Sequence, residues 1–183
     1  MSEDFIIEQC APTLAGIKTG NLFTCPYDTK EEVQSRVREL NRLLVPKGLC
    51  LLPMRYSAKR VLMYLYSPSR LKRDLSDERA AELLCAAGYS DAGAERSLVR
   101  LIGRLRGSED FPHEIGLFLS YPPEDVKGFI EHKAADFKYS GLWKVYGDEK
   151  KAKELFDKYK KCTDIYCRLS EAGFGIEQLA VAV

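Results

Sequence analysis

Three stretches of the chain combine residue types that can carry chemistry. The first is Phe111-Pro112-His113-Glu114-Ile115-Gly116, where a histidine stands next to a carboxylate on a backbone punctuated by Pro and Gly. An imidazole titrates near neutrality, so His113 is a candidate general acid or base, with Glu114 as the group that orients it. The plainer reading is that His113 caps the following segment or satisfies buried backbone groups. A zinc-protease HExxH set is not formed, because Leu117 stands where the second histidine would be.

The second stretch is Cys10-Ala11-Pro12. Proline is favoured in the first turn of a helix, and a thiol there is held as thiolate by unpaired N–H groups and the helix dipole. Lys18 would follow about two turns later. Cys10 is therefore a candidate nucleophile, redox thiol or iron ligand, set against the reading of a small buried residue anchoring the N-terminal segment. Cys25, before Pro26, is a weaker version of the same idea. Joined together, Cys10 would be the nucleophile, His113 its base and Glu114 the orienting acid.

The third stretch gathers Phe137, Tyr139, Trp143 and Tyr146 around Lys144. Aromatics beside a cation can wall a pocket for a flat or anionic ligand such as a nucleotide, flavin or haem. Tyr121, which follows the His113 segment, joins Lys18, Trp143, Lys144 and Tyr146 as a ligand-binding candidate. The same alternation also suits a half-buried strand that packs and does nothing more. Neither GxGxxG nor GxxxxGK occurs, so no dinucleotide or P-loop phosphate cradle is indicated.

Basic side chains cluster too. Arg55, Lys59, Arg60, Arg70, Lys72 and Arg73 interleave with Tyr56, Tyr64 and Tyr66, and Arg96, Arg100 and Arg104 share one helix face. They form a candidate polyanion surface or an ordinary solvated one. Net charge is only +1, without the basic excess by which nucleic-acid binders neutralise phosphates, so nucleic acid is not the expected partner. A small molecule or cofactor is, although no particular cofactor is specified.

These residues must be positioned by a chain of 183 residues, 45% hydrophobic and 30% charged, the size and make-up of one globular domain. Apolar runs are short, so no bilayer-spanning segment is expected. The acidic start Met1-Ser2-Glu3-Asp4 is unlike a secretory signal, and a cytoplasmic location follows as the expectation. Six cysteines then sit in a reducing compartment, with no CxxC pair and only two histidines, so neither structural disulfides nor a His-rich zinc site is expected. Cys162 and Cys167, five apart, would lie about 140° apart on a helix.

Periodicity places the elements. Residues 5–27 are irregular, with a short helical turn after Pro12. Asp28 and Glu31 resemble a capping box ahead of Val33, Val37, Leu40 and Leu44 at helical spacing. Leu49–Pro53 and Val61–Tyr66 read as strands of a hairpin, and helices follow over 77–87 and 92–106. Phe111 to Leu119 enters a buried strand or short helix, and Pro122-Pro123-Glu124-Asp125 starts a helix with Val126, Phe129 and Ile130 inward. Lys138–Tyr146 reads as a strand and Asp148 caps a long helix over 149–172. Leu179–Val183 is placed as an edge strand. The expected architecture is α+β, a single domain over 1–183 with several helices packed on a small mixed sheet.

Residues 111–126, together with Cys10-Ala11-Pro12-Thr13-Leu14-Ala15-Gly16-Ile17-Lys18 and Gly141-Leu142-Trp143-Lys144-Val145-Tyr146-Gly147, resemble a bacterial family, domain of unknown function 3793. The resemblance covers nearly the whole chain. Gly is usual in that family where Ser120 stands, and Arg where Ser67 stands. The resemblance implies a bacterial source and a setting near iron-uptake and flavodoxin genes, and it carries no activity. The leading expectation is ligand or cofactor binding in a pocket near His113 and Glu114. Thiol-dependent catalysis through Cys10 is the alternative, with polyanion binding through the basic surfaces as the third reading.

Overall fold

The computed structural model describes residues 1–90, 93–107 and 111–182. These gather into two compact units: residues 1–69 with 161–183 form the first, and residues 70–160 the second. The class is α+β.

In the first unit, α1 (Glu3–Leu14) and α2 (Lys30–Leu44) pack with β1 (Gly20–Pro26), β2 (Cys50–Ser57) and β3 (Arg60–Tyr66). The strand order is β1-β3-β2 and both pairings are antiparallel, which corrects the expected mixed sheet. Tight hairpin geometry joins β2 to β3, and this favours antiparallel pairing. As the central strand, β3 is buried from Val61 to Tyr66. Edge strand β2 tolerates Pro53, which has no N–H to give a ladder, and its register shifts between Pro53 and Arg55. Gly20 is required where it stands, since a Cβ there would run into the Tyr64 ring.

Thr29, and not Asp28, caps α2: its hydroxyl accepts from the Glu32 N–H at 3.2 Å. Val33, Val37, Leu40 and Leu44 are buried as their spacing predicts. Asn41 finishes the edge of the sheet, exchanging two hydrogen bonds with the Leu51 backbone at 2.8 and 3.0 Å. The core joins Ile6, Ile7, Cys10 and Leu14 of α1 to Phe23, Leu51, Val61, Met63 and Leu65 of the sheet. The C-terminal stretch is helical over Ile176–Leu179, as the last helix, α9, and not an edge strand. It is held by Glu3, whose carboxylate accepts from the Ile176 N–H at 2.9 Å, and Val181 donates to the Leu14 carbonyl at 2.9 Å. Val183, the last residue of that expected strand, lies outside the described residues.

Helix α3 (Pro68–Leu75) crosses the division between the units near its start, as α8 (Glu149–Glu171) does near its middle. The second unit holds α4 (Glu78–Ala86), α5 (Ala94–Gly107), α6 (Ile115–Phe118), α7 (Pro123–Glu131) and a hairpin of β4 (Tyr139–Ser140) and β5 (Lys144–Val145). Asp77 caps α4, accepting from the Arg79 and Ala80 N–H groups. Leu98, Leu101 and Leu105 are the buried stripe of α5, whose expected start at Ala92 lies outside the described residues. The strand expected over 138–146 is instead two very short strands, because Gly141 and Leu142 turn the chain back. On α7 the buried residues are Asp125, Val126 and Gly128, whereas Ile130 is exposed.

Ser120 has φ +61, in the left-handed region that favours glycine. No helix among the described residues is long and apolar enough to cross a membrane.

Candidate functional site

A pocket of about 440 Å³ opens in the second unit between α6, α7 and the β4–β5 hairpin. Its walls include Phe111, His113, Tyr121, Phe129 and Trp143. Asp125, Ser140 and Lys144 are further polar side chains on its lining.

The best-fixed wall is Trp143. Its ring stacks on Tyr121 at 4.5 Å between centroids and meets Phe156 edge-on, also at 4.5 Å. The indole N–H donates to Asp125 Oδ2 at 2.7 Å. Asp125 Oδ1 accepts from the backbone N–H groups of Tyr146 and Gly147, both at 2.8 Å. A buried carboxylate is tolerable when its oxygens are satisfied in this way. One acid from α7 thereby fixes both the indole and the exit of the hairpin. Gly116 and Gly128 permit this packing: a Cβ on Gly116 would strike Val126 and Tyr121, and one on Gly128 would strike Tyr146. Burial raises the Tyr121 phenol above its ordinary range, so it stays a neutral wall.

His113 and Glu114 part company. The His113 ring is exposed, lines the pocket and packs edge-on against Phe129 at 5.1 Å. Glu114 is buried at 3% exposure, where it accepts from the Tyr89 hydroxyl at 2.8 Å and pairs with Arg104 Nε at 3.0 Å. Its carboxylate is committed to Tyr89 and Arg104, and it does not line the pocket. The His–Glu dyad expected from sequence is thus replaced by a lone rim histidine and a structural acid. The physical reason is that Glu114 precedes the buried turn of α6 and answers the Arg104 guanidinium. Desolvation and the Glu114 contact push the Tyr89 phenol upward.

That pairing also changes the Arg96–Arg104 row. Arg104 is turned to Glu114 and to the Ala87 carbonyl at 2.6 Å, and Arg100 lies over the Tyr89 ring at 5.6 Å. In the other basic cluster, Arg60 binds Thr24 at 2.7 Å and Arg73 pairs with Asp74 at 2.9 Å. Arg60, Arg73, Arg100 and Arg104 thus have partners within the protein.

Cys10 departs furthest from its expected role. Helix α1 starts at Glu3 under the Ser2 cap and carries Pro12 inside it, so Cys10 lies well past the N-terminal turn. It is fully buried in the first unit's core, and burial pushes its thiol well above the ordinary range despite nearby Lys18. The thiolate expected at a helix N-terminus is corrected to a buried neutral thiol, because desolvation outweighs the charge of Lys18. Lys18 is itself buried, with its pKa lowered to about 8 by desolvation, which Cys10 partly opposes. It belongs to the first unit's interior and does not line the pocket. Cys25 is buried as well, with its Sγ 3.8 Å from the Met1 sulfur. No group of His, Cys, Asp or Glu among the described residues has the arrangement to hold a metal ion.

Of the ligand-binding candidates, Tyr121, Trp143 and Lys144 lie on the lining of this pocket. Tyr146 does not: it stacks on His132 at 5.6 Å, with its hydroxyl buried and unpartnered among the described residues. Sequence reasoning missed Asp125, which looked like an ordinary first-turn acid of α7. It also missed Phe129 as a pocket wall and Ser140.

No curated protein and no solved structure matches the chain. The expectation drawn from residues 111–126 and the two companion segments is settled by a family model that spans residues 6–180: the chain belongs to the family described as protein of unknown function (DUF3793).

Proposed function

We propose that the second unit is a binding module whose pocket takes a small molecule with a flat, mainly apolar body. The observation that carries this reading is the locking of Trp143 by Tyr121, Phe156 and Asp125 at the edge of a cavity of about 440 Å³. A wall fixed before the ligand arrives loses little entropy on binding. The volume falls in the range of small-molecule sites, which are mostly apolar with a few polar groups. A flavin ring, raised by the sequence, belongs to this class of ligand. Thiol catalysis is not favoured, since Cys10 is a buried neutral thiol.

The setting we infer is the cytoplasm of a bacterium. Free cysteines at all six positions suit a reducing compartment.

Trp143 is the chain's one tryptophan, so its indole N–H gives a single resonance in a ¹⁵N-labelled protein. Titration with neutral 2-naphthylmethanol is expected to shift that resonance saturably. Phe129→Ala, which removes a half-buried wall, is expected to weaken binding about tenfold. An indole resonance unmoved up to the probe's solubility limit would overturn the reading. So would equal affinity in a folded Phe129→Ala protein.

A further inference from the structure

The pocket's polar groups are not scattered. Ser140 and Lys144 are directly opposed in the β4–β5 register, which puts their side chains on one face of the hairpin, and both line the pocket. Lys144 Nζ is positioned by one hydrogen bond to the Ala134 carbonyl at 2.5 Å and lies 4.7 Å from the centre of the Phe137 ring. An ammonium has three donors, and this bond uses one of them.

Charge adds a second constraint. Lys144 forms no ion pair among the described residues, although it is half-buried. Asp125 is the one acidic side chain on the described lining, and its oxygens are occupied by Trp143, Tyr146 and Gly147. Other titratable or hydroxyl residues of the lining carry donors: Lys144 its ammonium, Ser140 its hydroxyl and His113 its imidazole. An acceptor-rich anionic group answers that set, and charge-assisted hydrogen bonds are the stronger kind.

We infer that the ligand is an aromatic or other flat apolar acid, with its anionic group bound by Lys144 and Ser140 at the hairpin edge and its body against Trp143 and Phe129. This rests on the pocket reading above and adds the ligand's charge to it. Asp125 serves as the positioning residue that holds the indole wall.

The test uses the ¹⁵N-labelled full chain and three probes with one ring system: 2-naphthoate, 2-naphthylmethanol and 2-naphthylmethylammonium. Each is titrated against the Trp143 indole resonance at neutral pH and constant ionic strength. The acid is expected to bind about tenfold more tightly than the alcohol, as for hydrogen bonds to a charged group. Lys144→Met removes the ammonium while keeping an unbranched side chain, and is expected to abolish that preference, so that acid and alcohol bind the variant alike. Ser140→Ala, at an exposed position, is expected to reduce the preference in part. If the alcohol binds and the acid binds no more tightly, the anionic assignment is wrong while the pocket stands. That assignment is equally wrong if the ammonium probe binds best, or if the preference survives in Lys144→Met. If none of the three probes binds, the pocket reading itself has failed.

Discussion

Trp143 donates its indole N–H to Asp125 Oδ2 at 2.7 Å, and the other oxygen of that acid takes two backbone N–H groups from the chain just after the same hairpin. A single buried side chain therefore shapes the pocket wall and ties α7 to β5.

The Asp125 arrangement is sensitive to replacement by an isostere. Asp125→Asn can still accept the two backbone N–H groups, but its amide then sets a donor against the indole donor. Stability in urea should fall by about 2–3 kcal/mol, the cost of an unsatisfied buried group next to a lost charge-assisted bond. Trp143 emission should move to the red as the ring gains solvent. Unchanged stability and emission would show that the acid does not hold the indole.

Neighbouring residues in the His–Glu pair should behave oppositely. His113→Ala removes an exposed ring and should cost under about 0.5 kcal/mol. Glu114→Ala strands the Tyr89 hydroxyl and the partly buried Arg104, and should cost about 3 kcal/mol. Matched urea unfolding curves decide between these outcomes, and equal costs would mean that the two side chains share one environment.

Thiol labelling should separate the cysteines by burial. In the native protein Cys85 is exposed and should be alkylated by iodoacetamide readily, whereas Cys10 and Cys25 are buried and should react only when the protein unfolds. Peptide mass spectrometry against time reads this directly. Native labelling of Cys10 as fast as Cys85 would contradict its place in the core.

Lys18 gives a pH signature. Its folded pKa of about 8 lies below the ordinary 10.5, so between these values the unfolded chain binds more protons than the native one. Its contribution to stability therefore rises with pH across that window, while below the folded value the full burial cost is present. That cost is about 3 kcal/mol, from the size of the shift. Measured as the difference between wild type and Lys18→Met, wild type should gain on the variant from pH 8 to 10.5. A flat difference would mean that Lys18 is charged in the fold throughout.

The local features were largely legible in the residues. Val33, Val37, Leu40 and Leu44 announced α2, because one period of apolar spacing suffices to commit a face to the core. Asp148 marked the start of α8 by a rule that acts over a single turn, its carboxylate accepting the Lys151 N–H. Helix α1 was not legible, since Pro12 near its C-terminal end mimicked a first-turn proline. The hairpin at 139–145 escaped as well, because an aromatic run has the same alternation whether or not Gly141 turns it back.

By itself, then, the sequence determined the α+β class, the buried face of α2 and the spans of α4 and α8 to within a residue. These depend on spacing along the chain, which is written in the residue order. Tertiary structure alone decided that Glu114 answers Arg104 and not His113, that Cys10 is interior, and that Asp125 holds Trp143. Each of those outcomes turns on which distant group meets a charge once water is removed, and burial and partner are properties of the folded chain that no local spacing encodes.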